Sequence, residues 1–318
     1  MCHFLSVHLS YSRLVTPIHM APMPDKVVEY TISKYKPEFQ MDPGRVVVLI
    51  GRSGSGKSII ARDLLYRLAR RSHVGIIMSG TETVNGFYSK FVPSCLIFTE
   101  FRQDKIYQLL DVQAKKRKAR EGLEADIATM TRLNRHADAD RLKQQLKDRL
   151  EADRGFLVID DLAMDSNAFK SDAMKTILFN SRHYNLTTII TTQYVMLLPA
   201  SVRANAAVIF SARESIHMNR VRLFQHLYGV FLNFEIFERV FSECTTGYSF
   251  CVLDTTVRSM NPTDMVFWFQ AELNTPPFKL CSTKWWNFND LNFDPNFEDR
   301  LRRKKQLEMK GLAVKRKS

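Results

Sequence analysis

Eight residues, Gly51-Arg52-Ser53-Gly54-Ser55-Gly56-Lys57-Ser58, carry the most specific chemistry in the chain. They fit G-x-x-x-x-G-K-[ST] at every fixed position. A phosphate needs several donors converging at short range. Glycines let successive backbone N–H groups curl into one hollow, where any side chain would obstruct the approach. At this spacing Lys57 reaches the β- and γ-phosphates of a nucleoside triphosphate, and the Ser58 hydroxyl completes the shell of a Mg²⁺ ion. Residues 59–70 read as a helix whose N-terminus, at Ile59, faces the anion and adds its dipole to the amides. A chance match in an ordinary strand–turn–helix is the bland alternative. Against it, three of the chain's twelve glycines fall within six residues, and the flanking strand and helix are the required context.

A second constellation lies about a hundred residues on. Residues 156–160 (FLVID) form a short apolar run ending in Asp160-Asp161. An apolar strand ending in Asp, C-terminal to a phosphate loop, is the Walker B arrangement; it carries a carboxylate to the sheet edge where open α/β folds hold ligands. Asp160 would hold the magnesium through water. Asp161 stands where many such ATPases place a glutamate that polarises the attacking water, and aspartate reaches less far. The bland reading of the pair is an exposed turn after a strand. The run LTTIITT, 186–192, ends at Gln193, a polar group placed to touch the γ-phosphate and orient that water.

These residues need strands and helices to hold them. The unbroken apolar run VVVLI (46–50) feeds the loop and has the pattern of a strand buried on both faces. Further strands are expected at 74–78, 94–99 and 206–211, with a helix at 167–182 between the acid pair and Gln193. Strand and helix alternating around a phosphate loop imply an α/β fold with right-handed crossovers. The expected class is a P-loop NTPase of ASCE/RecA-like type: a mostly parallel central sheet flanked by helices. Residues 248–254 and 264–270 alternate like an antiparallel C-terminal strand pair. Between 102 and 154 apolar residues become sparse and charge dense, with Leu, Ile and Met at helical spacing, so a charged insert of two helices is expected. Its run Lys115-Lys116-Arg117-Lys118-Ala119-Arg120 is either a solvated helix face or a phosphate-backbone contact. The division expected is an N-terminal arm (1–40, with a short strand at 27–33), an ATPase domain (41–275) and a C-terminal segment without regular order (276–318). That segment is rich in aromatics and ends in a basic tail.

Composition narrows the partners. The formal charge of +13 favours an anionic polymer over a neutral one. The five cysteines are scattered with no CxxC pair, which argues against a zinc site or a disulfide framework. No apolar run approaches the ~20 residues of a membrane span, and the first twenty residues lack the order of a secretory signal.

The segment Phe179-Asn180-Ser181-Arg182-His183-Tyr184-Asn185-Leu186-Thr187-Thr188-Ile189-Ile190-Thr191-Thr192-Gln193 closely resembles the signature of the poxvirus-type genome-packaging ATPases of large DNA viruses, within the FtsK–HerA superfamily of P-loop DNA translocases. The resemblance continues through Leu198-Pro199-Ala200-Ser201-Val202-Arg203-Ala204-Asn205, Val208-Ile209-Phe210, residues 248–254 and Trp268-Phe269-Gln270-Ala271, covering roughly 45–272. It implies ATP hydrolysis with Mg²⁺ at subunit interfaces of a homo-oligomeric ring around double-stranded DNA, driving the genome into a preformed capsid. It also implies capsid or portal-type viral partners and a location in the virion or at a host-cell assembly site, cytoplasmic or nuclear, without secretion. Asp160 and Asp161 match the family's acidic pair, and Gln193 its sensor glutamine. Arg182 and Arg203 match two arginines, one of which acts as the finger on a neighbour's γ-phosphate; Arg182 is favoured. Ser181 replaces a common glycine, and Ala206-Ala207 replaces a common acidic residue. Two other readings remain at this point. One is a cellular-type DNA pump or conjugation ATPase of the same superfamily. The other is a nucleotide-dependent DNA-binding scaffold with little turnover, against which the intact Lys57, Ser58, Asp160, Asp161 and Gln193 argue.

Overall fold

The computed structural model describes residues 30–69, 72–162, 168–294, 296 and 300. In chain order it holds α1 (Pro37–Gln40), β1 (Val46–Ile50), α2 (Lys57–Ala69), β2 (Val74–Ser79), α3 (Glu82–Asn85) and β3 (Ile97–Phe98). Two long helices follow, α4 (Gln103–Arg132) and α5 (His136–Ala152), and then β4 (Gly155–Asp160), α6 (Asp172–Asn180) and β5 (Leu186–Thr192). Next come α7 (Ala200–Asn205), β6 (Val208–Ser211), α8 (His217–His226), α9 (Phe234–Cys244) and β7 (Phe250–Asp254). The last elements are α10 (Pro262–Met265), β8 (Val266–Phe269) and α11 (Thr283–Asn292).

Eight strands form one sheet in the order β3-β2-β4-β5-β1-β6-β7-β8. The first six are parallel, and β7 and β8 close it antiparallel. Every residue of β1, β2, β4 and β5 is buried. Strands covered on both faces can be apolar throughout, which is why VVVLI and FLVID show no alternation. Val46 pairs with Thr188 and Gly155 with Leu186, so β5 lies between the phosphate-loop strand and the acid strand, as an ASCE-type sheet requires. The loop, the acid pair and Gln193 thereby emerge side by side at the C-terminal edge.

The charged insert is a helical hairpin. Ile106, Leu109 and Leu110 of α4 are buried, and Gln113 is 1% exposed. The Gln113 Nε2 donates to the carbonyls of Asp153 and Tyr184, both at 2.9 Å. These carbonyls just precede β4 and β5, so Gln113 fastens the insert to the N-terminal edge of the sheet. Beyond it the basic run divides: Lys115 and Lys118 are exposed, whereas Lys116, Arg117 and Arg120 are half-buried. Arg120 lies 3.9 Å from Asp153, and Arg117 stands 5.9 Å over the Tyr184 ring. The run is therefore not uniformly a solvated face; about half of it is packing.

Five local readings differ from the sequence pattern. Of residues 94–99 only Ile97–Phe98 pairs with β2; Ser94–Leu96 is a 3₁₀ turn in which the Leu96 N–H donates to the Pro93 carbonyl and the Cys95 N–H to Asn289 Oδ1. Thr246–Tyr248 is likewise a 3₁₀ turn, so β7 starts at Phe250. Residues 262–265 make one helical turn before β8. After residue 276 the chain forms α11, anchored by Leu280, which is fully buried and donates its N–H to the Phe91 carbonyl at 2.8 Å. Trp and Asn are weak helix formers, so TKWWNFNDLN reads poorly as a helix; its Trp286 indole is tied to the Leu280 carbonyl at 2.8 Å. The basic tail from residue 301 and the arm through residue 29 lie outside the described residues. Residues 30–33 form no strand, and Lys34 makes an isolated parallel bridge with Trp268.

Candidate active site

The phosphate loop closes between β1 and α2 with Gly54 at φ +75° and Gly56 at φ +96°, conformations that favour glycine. Gly51 is needed for a different reason: a Cβ there would stand 2.6 Å from both Ala212 Cβ and Ser55 Oγ. Lys57 is 7% exposed and donates from Nζ to the carbonyls of Gly51 at 2.7 Å and Arg52 at 3.1 Å. Burial pushes its pKa below the ordinary 10.5, and Asp161 and Asp160 oppose that shift. Ser58, half-buried, is the second residue of α2, whose first turn holds no acidic side chain to compete with an anion for the helix dipole. Ile59 follows, also half-buried. Arg52 and Ser53 are exposed at the tip, and the Arg52 guanidinium pairs with Glu214 at 3.0 Å.

The acid pair is organised by one hydroxyl. Thr191 Oγ1, fully buried, donates to Asp160 Oδ1 at 2.6 Å and accepts the Asp161 N–H at 2.9 Å. Ser79 at the end of β2 donates to Asp160 Oδ2 at 3.4 Å. The Tyr88 hydroxyl is buried beside the same carboxylate; burial first, and Asp160 second, push its pKa well above the ordinary value. Asp161 sits at φ +57°, a left-handed backbone that Asp tolerates better than most residues. Gln193 Nε2 donates to Asp161 Oδ2 at 2.8 Å. The two residues that the sequence offers as water-handling groups are thus in direct contact. Thr191, Ser79 and Tyr88 are the functional neighbours that the sequence pattern does not reveal.

Arg182 and Arg203 are elsewhere. Arg182 is exposed in the turn before β5, and Arg203 lies in α7 before β6, donating to its own Leu198 carbonyl. Both therefore lead into the N-terminal ends of parallel strands. The seven residues of β5 separate Arg182 from Gln193 by about 23 Å at ~3.3 Å per residue. Neither arginine is paired with the acid pair of its own chain.

Hard oxygen donors suit Mg²⁺, which binds through one or two carboxylates plus substrate phosphates rather than an all-protein cage. The Asp160 carboxylate, with Oδ2 only loosely held by Ser79, and the Ser58 hydroxyl fit that requirement. Among the described residues no group of three or more His, Cys, Asp or Glu side chains could hold a metal unaided.

Fold and site together define an ATPase of the P-loop class. A family model described as an AAA domain matches residues 41–196. The chain is 29% identical over 269 residues to the uncharacterized protein L437 of Acanthamoeba polyphaga mimivirus, covering 82% of this chain and 84% of that one. It is 29% identical over 234 residues to the uncharacterized protein 088R of Invertebrate iridescent virus 3, covering 73% and 78%. Among solved structures, the genome packaging NTPase B204 of Sulfolobus turreted icosahedral virus 2, in complex with ATP-gammaS, aligns with a TM-score of 0.44 at 18% identity, covering 73% of this chain and 100% of that one. The pCW3 conjugation coupling protein TcpA aligns with a TM-score of 0.42 at 17% identity, covering 82% and 65%. Among the described residues no helix is long and apolar enough to cross a membrane.

Proposed function

We propose that this chain is the ATP-driven motor that moves double-stranded DNA into a viral capsid, working as a homo-oligomeric ring. The observation that carries the reading is the convergence of Lys57, the Asp160–Asp161 pair and Gln193 at one sheet edge, with Gln193 bonded to Asp161. Relatives in two large DNA viruses and the formal charge of +13 support a viral, polyanion-handling role. Backbone phosphate contacts suffice for such a motor, since it must move any sequence.

In this reading the amides of Gly51–Ile59 and Lys57 hold the triphosphate of ATP. Lys57 exchanges two neutral carbonyl partners for charged phosphate oxygens, which make stronger hydrogen bonds. Ser58 and Asp160 would hold a Mg²⁺ ion, which would supply charge neutralisation at the phosphates. Asp161 accepts a proton from the attacking water, whose oxygen bonds to the γ-phosphorus as ADP departs. Gln193 orients the Asp161 carboxylate and the water. Because Arg182 and Arg203 lie at the far sheet edge, a finger role for either means reaching a neighbouring subunit's nucleotide. Exposed Arg182 is the better fitted; Arg203 is engaged with Leu198.

The test is the steady-state ATPase rate with and without double-stranded DNA, on wild type and Lys57→Ala. Stimulation by DNA of any sequence, lost in the variant, is the expected result. A Lys57-dependent rate indifferent to DNA would overturn the motor reading.

A further inference from the structure

A cavity of about 320 Å³ opens beside the phosphate loop, lined by Ser55, Arg213, Thr245, Gly247, Tyr248 and Ser249. This volume lies at the lower end of the range of small-molecule sites. We propose that it receives the nucleoside half of the nucleotide, with the Tyr248 ring as the surface on which the base stacks. The inference rests on the reading that the loop holds a nucleoside triphosphate.

Topology fixes the direction. β1 has β5 and then β4 on one side, carrying Gln193 and the acid pair, and β6 and then β7 on the other. The reacting phosphate must face the acids, so the rest of the molecule extends toward β6 and β7. The cavity is on that side, formed by the segments that leave β6 and enter β7. It abuts the loop directly: Ala212 limits Gly51, and the Phe250 ring comes within 4.0 Å of where a Gly56 Cβ would be.

Its lining is built for a ligand. Tyr248 is 84% exposed at φ +63°, and a bulky aromatic held in the left-handed region is an outlier of the kind that concentrates at binding sites. The preceding Gly247, also left-handed, is fixed by the Gln270 amide on its carbonyl at 2.9 Å. Among the described residues the Tyr248 ring stacks on no other ring, and Arg213 forms no ion pair. Ser55 Oγ, in the cavity wall, is buried without a hydrogen-bond partner. An aromatic face, a free guanidinium and an unsatisfied hydroxyl suit a flat heterocycle joined to a sugar. Because every base has a π-face, stacking here tolerates more than one base.

Calorimetric titration of the full chain with ATP and with inorganic triphosphate, each with Mg²⁺, tests this. Tyr248→Ala is expected to weaken ATP about 5- to 150-fold, the range of losing one base–aromatic stack. Triphosphate affinity should be unchanged, and Tyr248→Phe should bind ATP like wild type. The side chain is exposed, so its loss leaves the core intact. If Tyr248→Ala binds ATP within twofold of wild type while triphosphate binding still requires Lys57, the loop reading stands and the nucleoside sits elsewhere. Equal losses for ATP and triphosphate, or a loss confined to DNA binding, also overturn the proposal. Triphosphate and ATP binding that survive Lys57→Ala would refute the loop reading itself.

Discussion

Thr191→Val removes one oxygen from the centre of the candidate active site while nearly preserving volume. The lost hydroxyl is the donor to Asp160 Oδ1 at 2.6 Å and the acceptor of the Asp161 N–H at 2.9 Å. A hydrogen bond to a charged group contributes about 1.5–3 kcal/mol, and an amide left unpaired costs about 1–3 kcal/mol. The two share one atom and do not add fully, so the expected destabilisation is about 2–4 kcal/mol. For a chain of 318 residues that lowers Tm by about 3–6 °C. Asp161 also loses the anchor of its left-handed backbone, and displacing a reacting group by ~1 Å costs on the order of 100-fold in rate. Urea and thermal unfolding, with kcat and KM for ATP, measure the outcome. Thr191→Ser keeps the hydroxyl and should recover most of both. A valine variant within about 0.5 kcal/mol of wild type and with unchanged kcat would refute the assignment of Thr191 as the organiser of the acid pair.

Gln193→Ala should lower kcat by about 100-fold or more with little change in ATP affinity, because its amide serves Asp161 and the water rather than the loop; single-turnover kinetics separates the two. Gln113→Ala leaves the Asp153 and Tyr184 carbonyls without their shared donor. It should cost about 2 kcal/mol and raise hydrogen exchange along α4 and α5 while ATP affinity holds. Arg67→Met strips the fully buried Asp63 of its 3.0 Å partner, at a cost of about 3 kcal/mol at pH 7. Burial holds the Asp63 pKa above 3.8 even with Arg67 present, and the variant raises it further. The native state then takes up its proton before the unfolded chain does, so the deficit is full above that pKa and shrinks as pH falls through it. Urea midpoints at pH 7 and pH 5 report the sign.

The parts of the site legible in the sequence are those fixed by local pattern. VVVLIGRSGSGKS contains strand, loop and helix start in consecutive residues, and FLVIDD and LTTIITTQ each end a buried strand with their functional groups. What stayed hidden depends on register. LTTIITT holds four threonines, and only the pairing of β4 with β5 decides that Thr191 meets Asp160. Ser79 and Tyr88 approach the same carboxylate from β2 and from the turn beyond α3, a relation no spacing encodes. Tyr248 is missed for the opposite reason: YSFCVLD alternates as a strand should, but Gly247 lets the backbone turn left-handed before it. The arginines illustrate the limit of a motif. Their likeness to a family signature raises the expectation of a finger role, but only the strand directions show that each stands at the far edge from the phosphate loop of its own chain.

Helix α4 spans 30 residues, about 45 Å at 1.5 Å per residue. It starts beyond β3 at the edge where the phosphate loop and acid pair emerge, crosses the sheet, and is pinned at Gln113 near the other edge. About 28 Å of it extends past the pin to Arg132. The helix is thereby a lever with a short inner arm of about 15 Å and a long outer one. A tilt of about 10° about Gln113 displaces the inner end by roughly 2–3 Å and sweeps the Arg132 end through about 5 Å. Any rotation of α4 about Gln113 would therefore carry the tip of the charged hairpin nearly twice as far as the end at the nucleotide edge.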